Sequence, residues 1–277
     1  MSFFRKLFGG GKSDPPATQP TKPAAPAPSA APVRPVDLSD AGALVDCSGV
    51  AWNGDAQLDF VRQRLGNLVG QRLTPLLLAE GFKGNPWCSP LDAAILFAVH
   101  ALIEPTRQME VGSGYTTLAF NHARRVLNLP GELITIDPEP RCNVGEFVDA
   151  QLIMPVEEMP VDDFKMLMAG EIAFFDLPHT GEGLDHVYGR ILPVLQPGVV
   201  VGFHGVRLPR QYSAEELKQG FCEQQRLLQF LRTGRAEILF SGGWMAENHP
   251  GLVAGSLDGP AWAGESTALW FRIRAGA

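Results

Sequence analysis

The sequence lacks an excess of positive charge, paired cysteines and any long apolar run. Lys and Arg number 23 against 30 Asp and Glu, for a net charge of −7. No basic, aromatic-interleaved patch supplies the electrostatic footprint that nucleic-acid binding requires, so no nucleic-acid partner is expected. The cysteines, Cys47, Cys88, Cys142 and Cys222, are scattered with no C-x-x-C pair. That spacing argues against a zinc site and against a disulfide framework, and it points to a reducing compartment. No apolar stretch reaches the roughly 18 to 20 residues that a membrane span needs. The first residues also lack the basic-then-apolar order of a secretory signal. Together these absences predict a cytoplasmic chain, and no internal repeat suggests an array.

At 277 residues, the chain accommodates one large domain or two small ones, and its composition is that of an ordinary globular protein. Three zones stand out. Residues 1–10 cluster Phe3, Phe4, Leu7 and Phe8 on one helical face beside Arg5 and Lys6. Met1–Phe8 reads either as a peptide for weak contact with a protein or with the inner face of a membrane, or as a frayed terminus. Residues 11–36 carry eight prolines among Ala, Ser, Thr and Lys, a composition that predicts a disordered linker. Residues 37–277 form the folded part, with a helical cap over 37–105.

Within the folded part, Leu58, Val61, Leu65 and Leu68 make one helical stripe. Leu91, Ala94, Ile95, Phe97, Ala98 and Leu102 make another, and Gly81–Pro90 breaks between them. Short apolar runs then alternate with helical stretches. The runs are Gln108–Val111, Leu133–Ile136, Gln151–Met154, Ile172–Phe175 and Val199–Phe203. The stretches are Thr116–Leu127, Pro140–Phe147, Val161–Ala169, Gly183–Leu195 and Ala214–Arg232. Two last runs, Glu237–Phe240 and Thr267–Ile273, are placed to close an antiparallel edge. This order predicts an α/β, Rossmann-like, doubly wound fold: a mostly parallel, seven-stranded sheet with helices on both faces.

The chemistry concentrates where runs end. Met109-Glu110-Val111-Gly112-Ser113-Gly114-Tyr115-Thr116-Thr117 is a strand, a glycine turn and a helix start. Glycine permits a sharp turn and close ligand approach, and the helix start offers free N–H groups. A nicotinamide fingerprint wants a third glycine where Thr117 stands, which disfavours a nicotinamide-dependent oxidoreductase. Asp137 ends the second run, where a carboxylate can accept both hydroxyls of a ribose. Asp176 and His179 follow the fourth run and His204 ends the fifth. Either histidine is a candidate base, because an unperturbed imidazole titrates near pH 6.5. Each is equally readable as a hydrogen-bonded structural residue, and Asp137 as a capping residue. Trp244, His249 and Trp262 are readable as a stacking surface or as core packing.

These motifs, in this order, resemble class I S-adenosylmethionine-dependent methyltransferases over roughly residues 80–275. At closer range they are similar to a bacterial methyltransferase-domain family. Its first motif is like Glu110–Thr117 and its second like Ile136–Arg141. Its fourth-strand motif is like Phe175-Asp176-Leu177-Pro178-His179, and its fifth like Phe203-His204-Gly205. The resemblance implies S-adenosylmethionine as cofactor and methyl transfer to a small-molecule or saccharide acceptor, at oxygen. It implies that Gly112, Ser113 and Gly114 pass under the methionine part and that Glu110 holds its ammonium. It further implies that Asp137 binds the ribose and that Val156 and Glu157 border the adenine, Glu157 being readable as well as a solvated helix start. Asp176, His179 and His204 fall on the catalytic side. The family's fifth-strand aspartate is Gly205 here, and Leu177-Pro178 replaces Ser-Ser. No metal site is therefore expected, and a catalytically degenerate binding protein is the alternative reading.

Overall fold

Continuous apolar runs flanked by turn residues become strands buried on both faces, because helices cover each side of a parallel sheet. The computed structural model describes residues 37–257, 262 and 265–275. The expectations for the 1–10 peptide and the 11–36 linker lie outside the described residues. The strands are β1 (Arg107–Val111), β2 (Glu132–Ile136), β3 (Ala150–Leu152), β4 (Ile172–Phe175), β5 (Val200–Phe203), β6 (Ala236–Ser241) and β7 (Leu269–Ile273). They form one seven-stranded sheet in the order β3-β2-β1-β4-β5-β7-β6. All pairings are parallel except those of β7, which runs antiparallel to both β5 and β6. The fold is the expected Rossmann-like one, and the antiparallel strand lies where the last two runs placed it.

One face of the sheet is covered by α1 (Gly54–Arg64), α2 (Asn67–Leu78), α3 (Pro90–Ile103), α4 (Tyr115–Val126), α9 (Gly242–Asn248) and α10 (Leu252–Gly255). The helices before β1 are thus one wall of the core. Ser89 caps α3 by accepting from the Asp92 N–H at 3.0 Å, and Pro90 follows at the first helical position. Every residue from Leu91 to His100 is buried, so α3 is enclosed all round, where the spacing suggested a single apolar stripe. The other face is covered by α5 (Val161–Phe164), α6 (Glu182–His186) with its continuation to Val194, and α8 (Glu223–Leu231). The short α7 (Ala214–Lys218) buries nothing.

Several helices differ from their sequence limits, each for a local reason. The stretch at Pro140–Phe147 keeps only a 3-10 turn at Gly145–Phe147, and Val161–Ala169 stops at Phe164. Gly183–Leu195 begins as α6, widens through a π-turn at Val187–Ile191 and ends in a 3-10 turn around Pro193. Ala214–Arg232 is two helices, because Gly220 takes φ +85° and reverses the chain between α7 and α8. No helix among the described residues is long and apolar enough to cross a membrane.

Gly202 shows how tightly the centre of the sheet is packed. A Cβ there would lie 2.6 Å from the Phe174 ring and 2.7 Å from the Trp270 ring. Gly202→Ala is expected to cost about 1–3 kcal/mol through overpacking. Denaturant unfolding checks this; an unchanged midpoint would refute the packing argument.

Candidate active site

The ladder hydrogen bonds run one residue past the ends of β2, β4 and β5. The N–H of Asp137 donates to Leu152 O (3.0 Å), that of Asp176 to Val111 O (2.8 Å) and that of His204 to Phe175 O (3.1 Å). Asp137, Asp176 and His204 therefore stand together along the carboxyl edge of the sheet, beside the glycine turn that leaves β1. The chain winds in opposite directions from β1 and β4, which leaves a crevice there. A cavity of about 360 Å³ occupies it, bordered by Gly112, Asp137, Val156, Glu157, Asp176 and Leu177, among others. The structure thus brings six residues from four separate segments to one opening.

The glycine turn has a requirement of its own. Gly112 has φ +84°, and a Cβ on it would lie 2.0 Å from the Asp176 carbonyl oxygen. Contact with the end of β4 alone makes glycine obligatory there. Asp137 ties the turn to β2: Oδ2 accepts from the Ser113 N–H at 2.5 Å and Oδ1 from the Glu139 N–H at 2.8 Å. Oδ2 also accepts from the Ser113 hydroxyl at 3.3 Å, so the capacity left for another donor is on Oδ1. Val156 is buried and Glu157 exposed, and both border the cavity just past β3.

Glu110 lies beneath this turn with no exposed surface. Its Oε1 accepts from the Thr116 hydroxyl at 2.6 Å, while Oε2 is buried with no hydrogen-bond partner among the described residues. Burial pushes its carboxyl up to about 8, against the lowering effect of Thr116 and Thr117 and with help from Asp176 and Asp137. An unpartnered buried oxygen is costly, and a cation or donor placed against it would relieve that cost.

The two candidate histidines have opposite environments. His204 is buried, with Nδ1 3.2 Å from Asp176 Oδ1 and Nε2 3.2 Å from Asp92 Oδ2. Burial alone would lower its pKa, but the Asp176 and Asp92 carboxylates hold it well above the usual histidine value. Burial raises both carboxyls in turn, and the His204 cation more than offsets that, leaving each below its ordinary value. Two carboxylate acceptors require a proton on each ring nitrogen, so His204 is an imidazolium with no lone pair. This environment, between two acids, favours the reading of His204 as a hydrogen-bonded structural residue. Asp92 also accepts from Ser89 Oγ (2.8 Å), Ser266 Oγ (2.7 Å) and the Thr267 N–H (3.0 Å).

His179 donates from Nδ1 to Glu223 Oε2 at 2.5 Å, and the Tyr188 hydroxyl donates to Oε1 at 3.0 Å. A carboxylate only accepts, so Nδ1 carries a proton and Nε2 is the ring nitrogen left for another partner. Nε2 has no hydrogen-bond partner among the described residues. The ring lies over Gly205, whose Cβ, were there one, would be 2.3 Å from Cε1 and 2.4 Å from Nε2. His179 is partly exposed and lies outside the lining of the main cavity.

Sequence reasoning missed Glu223 and Asp92, which complete these two arrangements. Asp92 reads locally as a first-turn acid of α3, and Glu223 lies inside what reads as one long helix, so neither carries a local signal. Trp262 is buried against Gly70, and Trp244 packs on Gly54 of α1. Trp262 is thus committed to packing, whereas Trp244 is half-buried and also lies against the His249 ring. Among the described residues, no group of three or more His, Cys, Asp or Glu side chains could hold a metal ion.

No protein-family model matches the chain, and no curated protein matches it. Among solved structures it is similar to an S-adenosylhomocysteine-bound methyltransferase of Podospora anserina, with 14% identity and a TM-score of 0.43 over 80% of this chain and 88% of that one. It is also similar to an O-methyltransferase of Bacillus cereus in complex with S-adenosylhomocysteine, with 11% identity and a TM-score of 0.41 over 80% and 98%. A calicheamicin methyltransferase shares 15% identity with a TM-score of 0.43 over 84% and 98%. What those proteins bind is a property of theirs; the site here stands on its own residues.

His204→Gln is expected to destabilise the fold by about 3–5 kcal/mol, because it leaves two buried carboxylates without their cation. A histidine whose pKa is raised on folding stabilises fully below its unfolded value, and that gain fades as pH rises toward the folded value. The deficit of the variant should therefore be larger at pH 6 than at pH 9. Denaturant unfolding at both pH values measures it, and an equal or larger deficit at pH 9 would exclude a charged His204.

Proposed function

We propose that this chain transfers a methyl group from S-adenosylmethionine to a hydroxyl oxygen of a small-molecule acceptor. The observation that carries the reading is a crevice at the sheet edge lined by Gly112, Asp137, Val156 and Asp176, with His179, backed by the Glu223 carboxylate, outside that lining. The residues fit the cofactor. Asp137 lines the crevice and keeps acceptor capacity on Oδ1 for a ribose hydroxyl, and Val156 and Leu177 give an apolar wall for the adenine, with Glu157 at its rim. Gly112, Ser113 and Gly114 let a ligand approach the backbone, and the unpartnered Oε2 of Glu110 would take the ammonium.

When bound, the cofactor supplies a methyl on a sulfonium, a good leaving group that needs only an aligned nucleophile. His179 is the base: Nε2 takes the proton of the acceptor hydroxyl while Glu223, on Nδ1, fixes the tautomer and stabilises the imidazolium that forms. Tyr188 holds the second oxygen of Glu223 and so keeps the carboxylate in place. Asp176, anchored by His204, lines the crevice with Asp137, Glu139, Glu157 and Glu182, which make the site acidic. The competing reading, a fold that binds without turning over, draws on Gly205 standing where the resemblance of the motifs implies a carboxylate.

Calorimetry with S-adenosylmethionine and with NAD separates cofactors: the first is expected to bind and the second not. Asp137→Ala is expected to weaken binding about tenfold or more, as loss of charge-assisted hydrogen bonds implies. Failure of wild-type protein to bind S-adenosylmethionine would sink the proposal. In a methyl-release assay on fractionated cell extract, His179→Ala is expected to lower turnover about 10²- to 10⁴-fold with little change in cofactor affinity. Binding without release of S-adenosylhomocysteine in every fraction would favour the non-catalytic reading.

A further inference from the structure

Trp87, in the break before α3, and Arg141, in the turn after β2, meet above the glycine turn. The Arg141 guanidinium carbon lies 4.0 Å from the centre of the Trp87 ring, a cation–π stack. Trp87 is 53% exposed, so its indole is not there to fill the core. Arg141 is fixed at its base, since its N–H donates to Ser113 O at 3.1 Å and its Cβ would lie 3.3 Å from a Cβ on Gly114. The two side chains help enclose a small cavity of about 20 Å³ that shares Gly112, Asp137, Arg141 and Asp176 with the larger one. Arg141 is the sole cation lining either space, amid carboxylates, and it makes no ion pair among the described residues.

The small cavity also contains Thr116, whose hydroxyl bonds to Glu110, and the first residues of α4. It therefore brings Thr116, the partner of the buried Glu110, and the start of α4 together with a guanidinium that forms no ion pair among the described residues. An amino-acid zwitterion needs both kinds of partner at once.

We propose that Arg141, held in place by the Trp87 ring, binds the carboxylate of the amino-acid tail of the cofactor and makes affinity depend on that tail. This rests on the reading of the crevice as an S-adenosylmethionine pocket. The enclosed space holds little more than one water, so the stacked pair shifts outward when the tail enters. Trp87 acts as a positioning residue for the guanidinium.

The test is calorimetry on the full chain with S-adenosylhomocysteine and with 5′-methylthioadenosine, the same nucleoside thioether without the tail. Arg141→Ala is expected to weaken S-adenosylhomocysteine about tenfold or more and to leave 5′-methylthioadenosine within about twofold. Arg141→Lys should recover part of the loss. Trp87→Ala should show a smaller, equally selective loss that Trp87→Phe restores. Equal losses on both ligands, or no loss on either, would overturn the role of Arg141. Wild-type protein that binds neither ligand would instead sink the cofactor reading itself, and this inference with it.

Discussion

The ion group Asp92–His204–Asp176 is the constraint on which the rest of the site depends. It joins the first turn of α3, the end of β5 and the end of β4, and through Ser266 and Thr267 it reaches the entry to β7. Burying three charges is expensive, and removing water from them is repaid only where every lone pair and proton finds a partner. Asp92 meets that condition: four donors converge on its two oxygens. The consequence is positional. Asp176 can face the crevice at a fixed place because the His204 imidazolium pins its other side, and α3 cannot shift without exposing its acid.

The second arrangement explains a departure that looks like a loss. The resemblance of the motifs implies an aspartate where Gly205 stands here, so that the missing carboxylate reads as damage to the site. In space, the His179 ring occupies the volume that any side chain at 205 would need, and Gly205 itself has φ +76°, a conformation that favours glycine. Glycine at 205 and histidine at 179 are one feature. The same region depends on the chain reversal at Gly220, which ends α7 and starts α8 so that Glu223 meets His179 and Phe221 packs on its ring at 4.7 Å. A continuous helix over that stretch would point Glu223 elsewhere.

Electrostatics divide the crevice along its length. The end near Asp137 is built from carboxylates and apolar walls, while the end above the glycine turn holds the stacked Arg141 and, beneath it, the buried Glu110. Burial pushes the Glu110 carboxyl up to about 8. A cation beside it would favour the ionised form, so occupancy of the crevice and the proton on Glu110 are linked.

The sequence by itself determined the strand set and the line of residues along the sheet edge. Parallel strands buried on both faces read as short apolar runs, and the polar residue that follows each run, Asp137, Asp176 or His204, has to emerge at the carboxyl edge. Helix limits were less legible, because a π-turn, Pro193 and Gly220 interrupt patterns that look continuous in one dimension. What only the tertiary structure decided is the division of labour between the two histidines. His204 meets Asp92 across 112 residues of sequence, and His179 meets Glu223 across 44. No local pattern encodes such pairs; the packing of α3 and α8 against the sheet creates them. Whether a histidine is a fixed cation or keeps a free nitrogen follows from which carboxylates that packing brings to its ring.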